Sequence, residues 1–196
     1  MPDSVPNKIK FGIKGCYYAV ATIAANNSAT YGTPVALPGA VNLSLSPQGE
    51  TNSFYADNID YYTTVSNTGY EGDLELARLP ESFLKDVLGY KVDSNGVLYE
   101  DANAPTVPFA LIYQFEGDVD ARRCVLYRCT ASRPEISAAT KEQNIEPQTE
   151  TIPLKIGAVY NAGLEKDLVR AIAAPAQATQ YNGWNAAVYQ PSAPAA

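Results

Sequence analysis

The sequence of 196 residues contains no histidine, only three cysteines, one methionine and one tryptophan. Without histidine, the chain has no histidine metal site and no catalytic triad with imidazole as the base. Cys16, Cys124 and Cys129 are odd in number, which does not fit a closed set of disulfides and suits a reducing compartment. We predict that they are buried thiols in strands. The longest apolar run, residues 19–25, is interrupted by Thr22 and is too short to span a bilayer.

Positive charge is also scarce. Lys and Arg total 14 against 21 Asp and Glu, so the net charge is -7. An acidic chain is not drawn to phosphates, which argues against DNA wrapping and against binding to an anionic membrane. The hydrophobic fraction of 46% is ordinary for a globular protein, and the length favours one domain over residues 1–196. Within it, we predict a polar connecting arm at residues 135–148 and a flexible C-terminal tail at residues 190–196.

Tyrosine, glycine and proline are abundant, at 14, 13 and 14 residues. Short alternating runs separated by turn residues predict a mainly β fold, either a sandwich or a barrel. Residues 41–45 alternate as a half-buried strand does. Residues 108–115 and 121–130 are the most strand-like segments, and we predict that they form a central hairpin. The apolar stripe of residues 80–88 predicts one helix that flanks the sheet.

One turn and three segments toward the C-terminus carry further signals of secondary structure. Asn95-Gly96 predicts a tight hairpin. Pro153 predicts that a strand at residues 150–160 lies at a sheet edge or carries a bulge. Residues 166–174 suit a helix by composition, while a strand is also possible. Residues 182–189 fit one or two helical turns with Trp184 and Val188 on the same side.

Residues 46–69 differ from the rest of the chain because aromatic side chains are embedded in a polar segment. They contain Phe54, Tyr55, Tyr61 and Tyr62. A solvated loop has little use for four aromatic side chains. We therefore predict a long extended arm or hairpin that buries them against another surface, with packing on their own domain as the alternative.

Two clusters of charge are candidates for chemistry. Glu71, Asp73 and Glu75 fall on one face of a predicted strand, opposite Leu74 and Leu76. We interpret them as the wet face of a sheet, with a catalytic carboxylate pair as the alternative. The second cluster is basic and consists of Arg122, Arg123 and Arg128. We predict that these arginines form ion pairs with carboxylates rather than a nucleic-acid patch.

No dinucleotide-binding or phosphate-binding loop, nucleophile elbow, metal-ligand spacing or internal repeat is present in the sequence. We therefore expect no cofactor, no metal and no catalytic residue.

Several short motifs, in this order, resemble those of the major tail proteins of long-tailed bacteriophages. The group that they resemble most has non-contractile tails and belongs to phages and prophages of Gram-positive hosts. The similarity runs over roughly residues 8 to 190. The motifs are KFGIK at 10–14, YYA at 17–19, YGTP at 31–34, PGAV at 38–41, YADN at 55–58, LG at 88–89, NGVL at 95–98, and Trp184 followed by Val188-Tyr189.

The resemblance implies a tail-tube-type β-sandwich with one flanking helix at residues 81–88. Hexameric rings would form by joining inner sheets into a continuous barrel, and stacked rings would make the tail tube. DNA would pass through without specific binding, along a bore lined by Glu71, Asp73 and Glu75. The long loop at 46–69 would be an inter-subunit arm, and the C-terminus would add packing contacts. The arm residues are Phe54, Tyr55, Asp57, Tyr61 and Tyr62, and those of the C-terminus are Trp184, Val188 and Tyr189.

The same resemblance implies that the chain is made in the cytoplasm of the host bacterium and ends in the virion, as part of the tail. Its partners would be other copies of itself, a tape measure protein, a tail terminator and a tail-tip initiator, with no membrane.

Three alternatives stay open at this point. The chain could form the tube of a tail-like bacteriocin or another injection particle. It could be a monomeric carbohydrate-binding module that uses Tyr61, Tyr62 and Trp184 as stacking platforms. It could also be an enzyme built on the carboxylates of residues 71–75.

Overall fold

The computed structural model describes residues 12–116, 121–136 and 148–193. Within them the chain is mainly β, with one large antiparallel sheet and two short helices, which confirms the predicted fold class. In chain order the elements are β1 (Ile13–Ile23), β2 (Ala29–Tyr31), β3 (Val35–Ala36), β4 (Ala40–Gln48), β5 (Thr51–Ala56), β6 (Ile59–Val65), β7 (Gly69–Leu76), α1 (Glu81–Asp86), β8 (Lys91–Val92), β9 (Leu98–Tyr99), β10 (Phe109–Phe115), β11 (Arg123–Ala131), β12 (Glu150–Gly157), β13 (Val159–Asn161), β14 (Lys166–Leu168), β15 (Arg170–Ala173) and α2 (Ala178–Gly183).

The main sheet has the strand order β2-β1-β10-β11-β12-β7-β4. Strand β3 also pairs with β1, and β15 also pairs with β11. The predicted central hairpin is the β10–β11 pair, which is antiparallel. Three smaller pairs, β5–β6, β8–β9 and β13–β14, stand outside the main sheet. The described strands do not close into a barrel, so the barrel version of the predicted fold is wrong for the single chain.

One face of the main sheet buries a first hydrophobic cluster that includes helix α1. The ring of Phe83 packs edge-on against Tyr18 at 5.1 Å and against Phe109 at 5.4 Å between centroids. The hydroxyl of Tyr18 donates a 2.9 Å hydrogen bond to the carboxylate of Asp86, which ties the helix to β1. The helix is shorter than the predicted 80–88, because the chain turns after Asp86 and reaches Gly89 with a φ of +75°.

The other face buries a second cluster under the C-terminal segment. Ile112, Val125 and Tyr127 are at most 1% exposed there, and Trp184 and Val188 cover them. Because β10 and β11 are buried on both faces, their sequences are almost continuously apolar. This is the reason why those two strands stand out in the sequence.

Residues 166–174, for which both helix and strand were open, contain strands β14 and β15. Two local predictions need correction. The helical turns predicted at 182–189 begin earlier, in α2. Pro153 lies in β12, which is internal to the sheet and not at its edge. Strand β12 accepts a proline here because its pairing with β11 ends at the Ala131–Leu154 pair, one residue before Pro153 is reached. Proline has no amide hydrogen to donate to a ladder.

The other local predictions stand as follows. Asn95-Gly96 lies in the turn between β8 and β9, as predicted. All three cysteines are buried and free. The predicted connecting arm at 135–148 lies mostly outside the described residues, and the C-terminal tail predicted at 190–196 is described as far as residue 193.

Candidate assembly surfaces

Strands β5 and β6 form a hairpin that extends from one end of the main sheet. Strands β4 and β7 pair as far as Gln48 and Gly69, and the backbone ladder continues beyond them. The amide of Ser66 donates to the carbonyl of Glu50 at 2.9 Å. A Cβ atom on Gly49 would collide with the carbonyl of Ser66, so the chains approach too closely here for another residue. Among the strands that the structure describes, β5 and β6 pair only with each other, so the hairpin is a two-stranded ribbon.

A two-residue turn closes the hairpin at its tip. Asp57 and Asn58 have φ angles of 52° and 64°, and Ala56 pairs with Ile59. Two consecutive positive φ angles define the tight turn whose twist matches that of antiparallel strands, and Asp and Asn tolerate them better than most residues. The structure therefore places the predicted arm residue Asp57 in the turn. This turn was not predicted from the sequence, because Asp-Asn is a weaker turn signal than Asn-Gly.

The two faces of the hairpin differ in polarity. On one face, Ser53 and Thr63 donate hydrogen bonds of 3.1 and 2.9 Å to the carboxylate of Asp60. On the other face, Phe54 and Tyr62 are directly paired across the strands. Ile59 lies on this apolar face too, because it pairs with Ala56, two residues from Phe54.

The aromatic side chains of the hairpin are open to solvent in the single chain. Neither hydrophobic cluster contains a residue of the hairpin. The structure thus brings the predicted arm aromatics together on one ribbon, and it does not bury them against the described part of their own domain. Their exposed fractions are 63% for Phe54, 66% for Tyr55, 71% for Tyr61 and 64% for Tyr62.

The row of carboxylates lies on β7 as the alternation predicts. Leu74 and Leu76 are fully buried on one face, so Glu71, Asp73 and Glu75 project from the other. Successive members of the row are about 7 Å apart along the strand.

Residues of the two neighbouring strands, β4 and β12, flank this row. Asp73 lies between Ser44 of β4 and Pro153 of β12, and Lys155 is paired with Glu71. The hydroxyl of Thr149 donates a 2.5 Å hydrogen bond to Glu75. No group of three or more metal-ligating side chains is found among the described residues. The arrangement is an acidic and largely exposed sheet face, which we call the acidic face (Glu71, Asp73 and Glu75).

The predicted C-terminal packing residues pack within their own chain. The rings of Trp184 and Tyr189 stack with centroids 5.2 Å apart and planes 21° apart. The hydroxyl of Tyr127 donates to the carbonyl of Tyr189 at 3.0 Å, and Val188 is buried beside them. These contacts hold the C-terminal segment across the second cluster.

The ion pairs predicted for Arg123 and Arg128 are not found among the described residues. Arg123 donates to the carbonyl of Tyr181 at 2.6 Å, and its guanidinium lies 4.1 Å from the centre of the Tyr181 ring. Arg128 donates to the side-chain oxygen of Asn27 at 2.8 Å. The partners found for both guanidinium groups among the described residues are therefore neutral oxygens. For Arg123 the physical reason is the C-terminal segment, which lies over β11 and supplies a carbonyl. For Arg128 it is the connection between β1 and β2, which supplies Asn27.

Comparison with known proteins assigns the family. The family model described as "Phage tail tube protein" matches residues 3–155 of the 196-residue chain. The chain therefore belongs to the phage tail tube protein family. Such proteins are structural components that assemble into a tube within the tail of the virion. A search of the curated proteins found no match.

Two further facts bear on this assignment. The match ends inside β12, so the segment that carries Trp184, Val188 and Tyr189 lies beyond it. Over the residues whose structure is described, no helix is long and apolar enough to cross a membrane.

Proposed function

We propose that this protein forms hexameric rings that stack into the tail tube, and that DNA passes through this tube during ejection. The observation that carries the proposal is the hairpin with its exposed apolar face of Phe54, Ile59 and Tyr62. An isolated two-stranded hairpin is marginally stable in water, and an exposed apolar face gains free energy when it is covered. A copy of the same chain supplies that cover in a tube.

Unpaired sheet edges support the ring. Strand β4 has β7 as its only strand partner among the described elements, so its other edge carries no described ladder. Val41 on β4 is 49% exposed. A free edge with apolar side chains is prone to pair with another strand, and joining it to the sheet of the next copy removes the edge. In the proposed ring, these junctions make one continuous inner barrel.

The acidic face supports the passage of DNA. In the proposed tube, Glu71, Asp73 and Glu75 line the bore in every copy. Carboxylates repel the phosphates of the duplex, whereas a basic bore would bind them through counterion release. DNA therefore slides without specific contacts. The proposed partners beyond the chain itself are a tape measure protein, a tail terminator and a tail-tip initiator.

Electron microscopy tests the proposal. Concentrated protein, alone and with a tail-tip initiator, is examined by negative staining. We expect rings or tubes of uniform width in at least the second sample. Persistent absence of both structures from the two samples would contradict the proposed function.

A further inference from the structure

The first hydrophobic cluster is closed at one end and open at the other. Helix α1 closes the end where β10 begins, since Phe83 packs on Phe109. Toward the other end of β10 lies a cavity of about 310 Å³, which we call the end cavity. Its lining is mainly apolar and aromatic and includes Leu43, Leu45, Tyr70, Tyr113 and Leu126. One cation, Arg170, also lines it.

The hairpin begins at the same end of the sheet as this cavity. Strand β4 reaches the end of its ladder at Gln48, three residues after Leu45, and β7 begins at Gly69, one residue before Tyr70. One copy of the chain thus presents both an exposed apolar projection and an apolar cavity at one end. In the single chain the projection does not fill the cavity, because Phe54 and Tyr62 are exposed.

The projection and the cavity are complementary in size. A cavity of about 150 Å³ is large enough to bind benzene. The end cavity, at about 310 Å³, therefore accommodates the ring of a phenylalanine or a tyrosine. Its Leu and Tyr lining offers the apolar surface that such a ring requires.

They are complementary in charge as well. Residues 49–70 contain Glu50, Asp57 and Asp60 and no lysine or arginine. The end cavity presents the exposed guanidinium of Arg170, which lies 5.6 Å from the centre of the Tyr70 ring. An acidic, aromatic ribbon is therefore attracted to a cationic, apolar opening.

We infer that the end cavity receives Phe54 or Tyr62 from the hairpin of a second copy of this chain. The inference rests on the proposed function for the ring. All copies in a ring have the same orientation, so the hairpin of one copy and the cavity of its neighbour lie on the same side of the ring. The contact is heterologous and joins neighbours within one ring.

Disulfide trapping tests this contact. Tyr62→Cys protein is mixed with Leu45→Cys protein under assembly conditions and oxidised; the native cysteines are buried and leave little background. We expect a band at twice the monomer mass of 21.0 kDa that disappears on reduction. Mass spectrometry should find the peptide that joins positions 62 and 45. The control mixes Val97→Cys, 59% exposed in the turn between β8 and β9, with Leu45→Cys, and at least a tenfold weaker band is expected.

Three results would overturn the inference. The first is a Tyr62→Cys, Leu45→Cys double variant that forms only an internal disulfide, since the hairpin would then cover its own cavity. The second is a Val97 band as strong as the Tyr62 band. The third is no disulfide at all in variants that form tubes, in which case the proposed function survives and only this contact fails. If Leu45→Cys does not fold, the exposed Arg170 takes its place as Arg170→Cys.

Discussion

Phe54 and Tyr62 face each other across β5 and β6 as a directly paired couple, yet they are 63% and 64% exposed. Cross-strand aromatic pairs stabilise a hairpin by roughly 0.2 to 1 kcal/mol, which is little for a ribbon that has no packed face. The pair therefore contributes modestly to the single chain. Its larger contribution comes when a second copy covers it.

Replacing both rings should abolish assembly and spare the monomer. In the double variant Phe54→Ser, Tyr62→Ser, we expect the free energy of unfolding of the monomer to change by less than about 1 kcal/mol, because both side chains are largely exposed. We expect no rings or tubes under the electron microscope. Urea unfolding followed by circular dichroism measures the first quantity.

The matched control for this variant is Ile136→Ser, which removes another exposed apolar side chain, 93% exposed and outside the hairpin. It should assemble normally. Tubes of normal width and yield from the double variant would contradict the role of the hairpin.

Reversing one charge on the acidic face should make the tube bind DNA. Asp73→Lys places a cation in the middle of the row, and tubes of this variant should bind duplex DNA at low salt and release it as the salt concentration rises. Glu81→Lys makes the same change of charge on helix α1, where Glu81 already pairs with Lys85 at 3.4 Å. Co-sedimentation of DNA with tubes compares the two. Equal DNA binding by both variants would show that Asp73 does not face the bore.

The C-terminal segment should contribute strongly to the stability of the single chain. Trp184 is 2% exposed, so Trp184→Ala should lower the free energy of unfolding by about 3 to 5 kcal/mol. Its indole nitrogen has no hydrogen-bond partner in the described structure, so Trp184→Phe loses no hydrogen bond. We expect Trp184→Phe to cost less than half as much in urea unfolding. A near-neutral Trp184→Ala would contradict the packing that we describe.

Buried thiols and phenols should make the fold sensitive to alkali. Burial raises the pKa of Cys16 and Cys129 from 9.0 to about 12, and that of Tyr18 from 10.0 to about 12. Burial also raises the pKa of Tyr31 and Tyr127. The unfolded chain therefore loses these protons at a lower pH than the folded chain does.

It follows that this contribution to stability is complete below about pH 9 and is lost progressively up to about pH 12. Each group lowers the free energy of unfolding by at most about 1.4 kcal/mol per pH unit in its own window. Urea unfolding between about pH 8 and pH 11 measures the slope. Cys16→Ala with Cys129→Ala should reduce the loss of stability between about pH 9 and pH 10. Constant stability over this range would contradict the burial.

Some of the fold could be predicted because local pattern and tertiary context agree. The alternation of Leu74 and Leu76 with the acidic residues predicted both faces of β7. Strands β10 and β11 are apolar on both faces, so their sequences indicate a central position in the sheet. The aromatic residues in a polar segment predicted the hairpin, although its tip turn was not recognised.

Other features depend on contacts that are distant in the sequence. Residues 166–174 have a composition that suits a helix, but Arg170–Ala173 pairs with β11, and that pairing decides the structure. The carbonyl that binds Arg123 comes from Tyr181, 58 residues further along the chain. The end cavity, likewise, combines residues from five strands, which no local pattern reports.

The most direct test of the account is a cryo-electron microscopy reconstruction of the assembled tube. We predict sixfold rings, with Glu71, Asp73 and Glu75 facing the bore and the hairpin covered by another copy. A bore lined by lysine and arginine, or a hairpin that touches no other copy in the finished tube, would contradict the account.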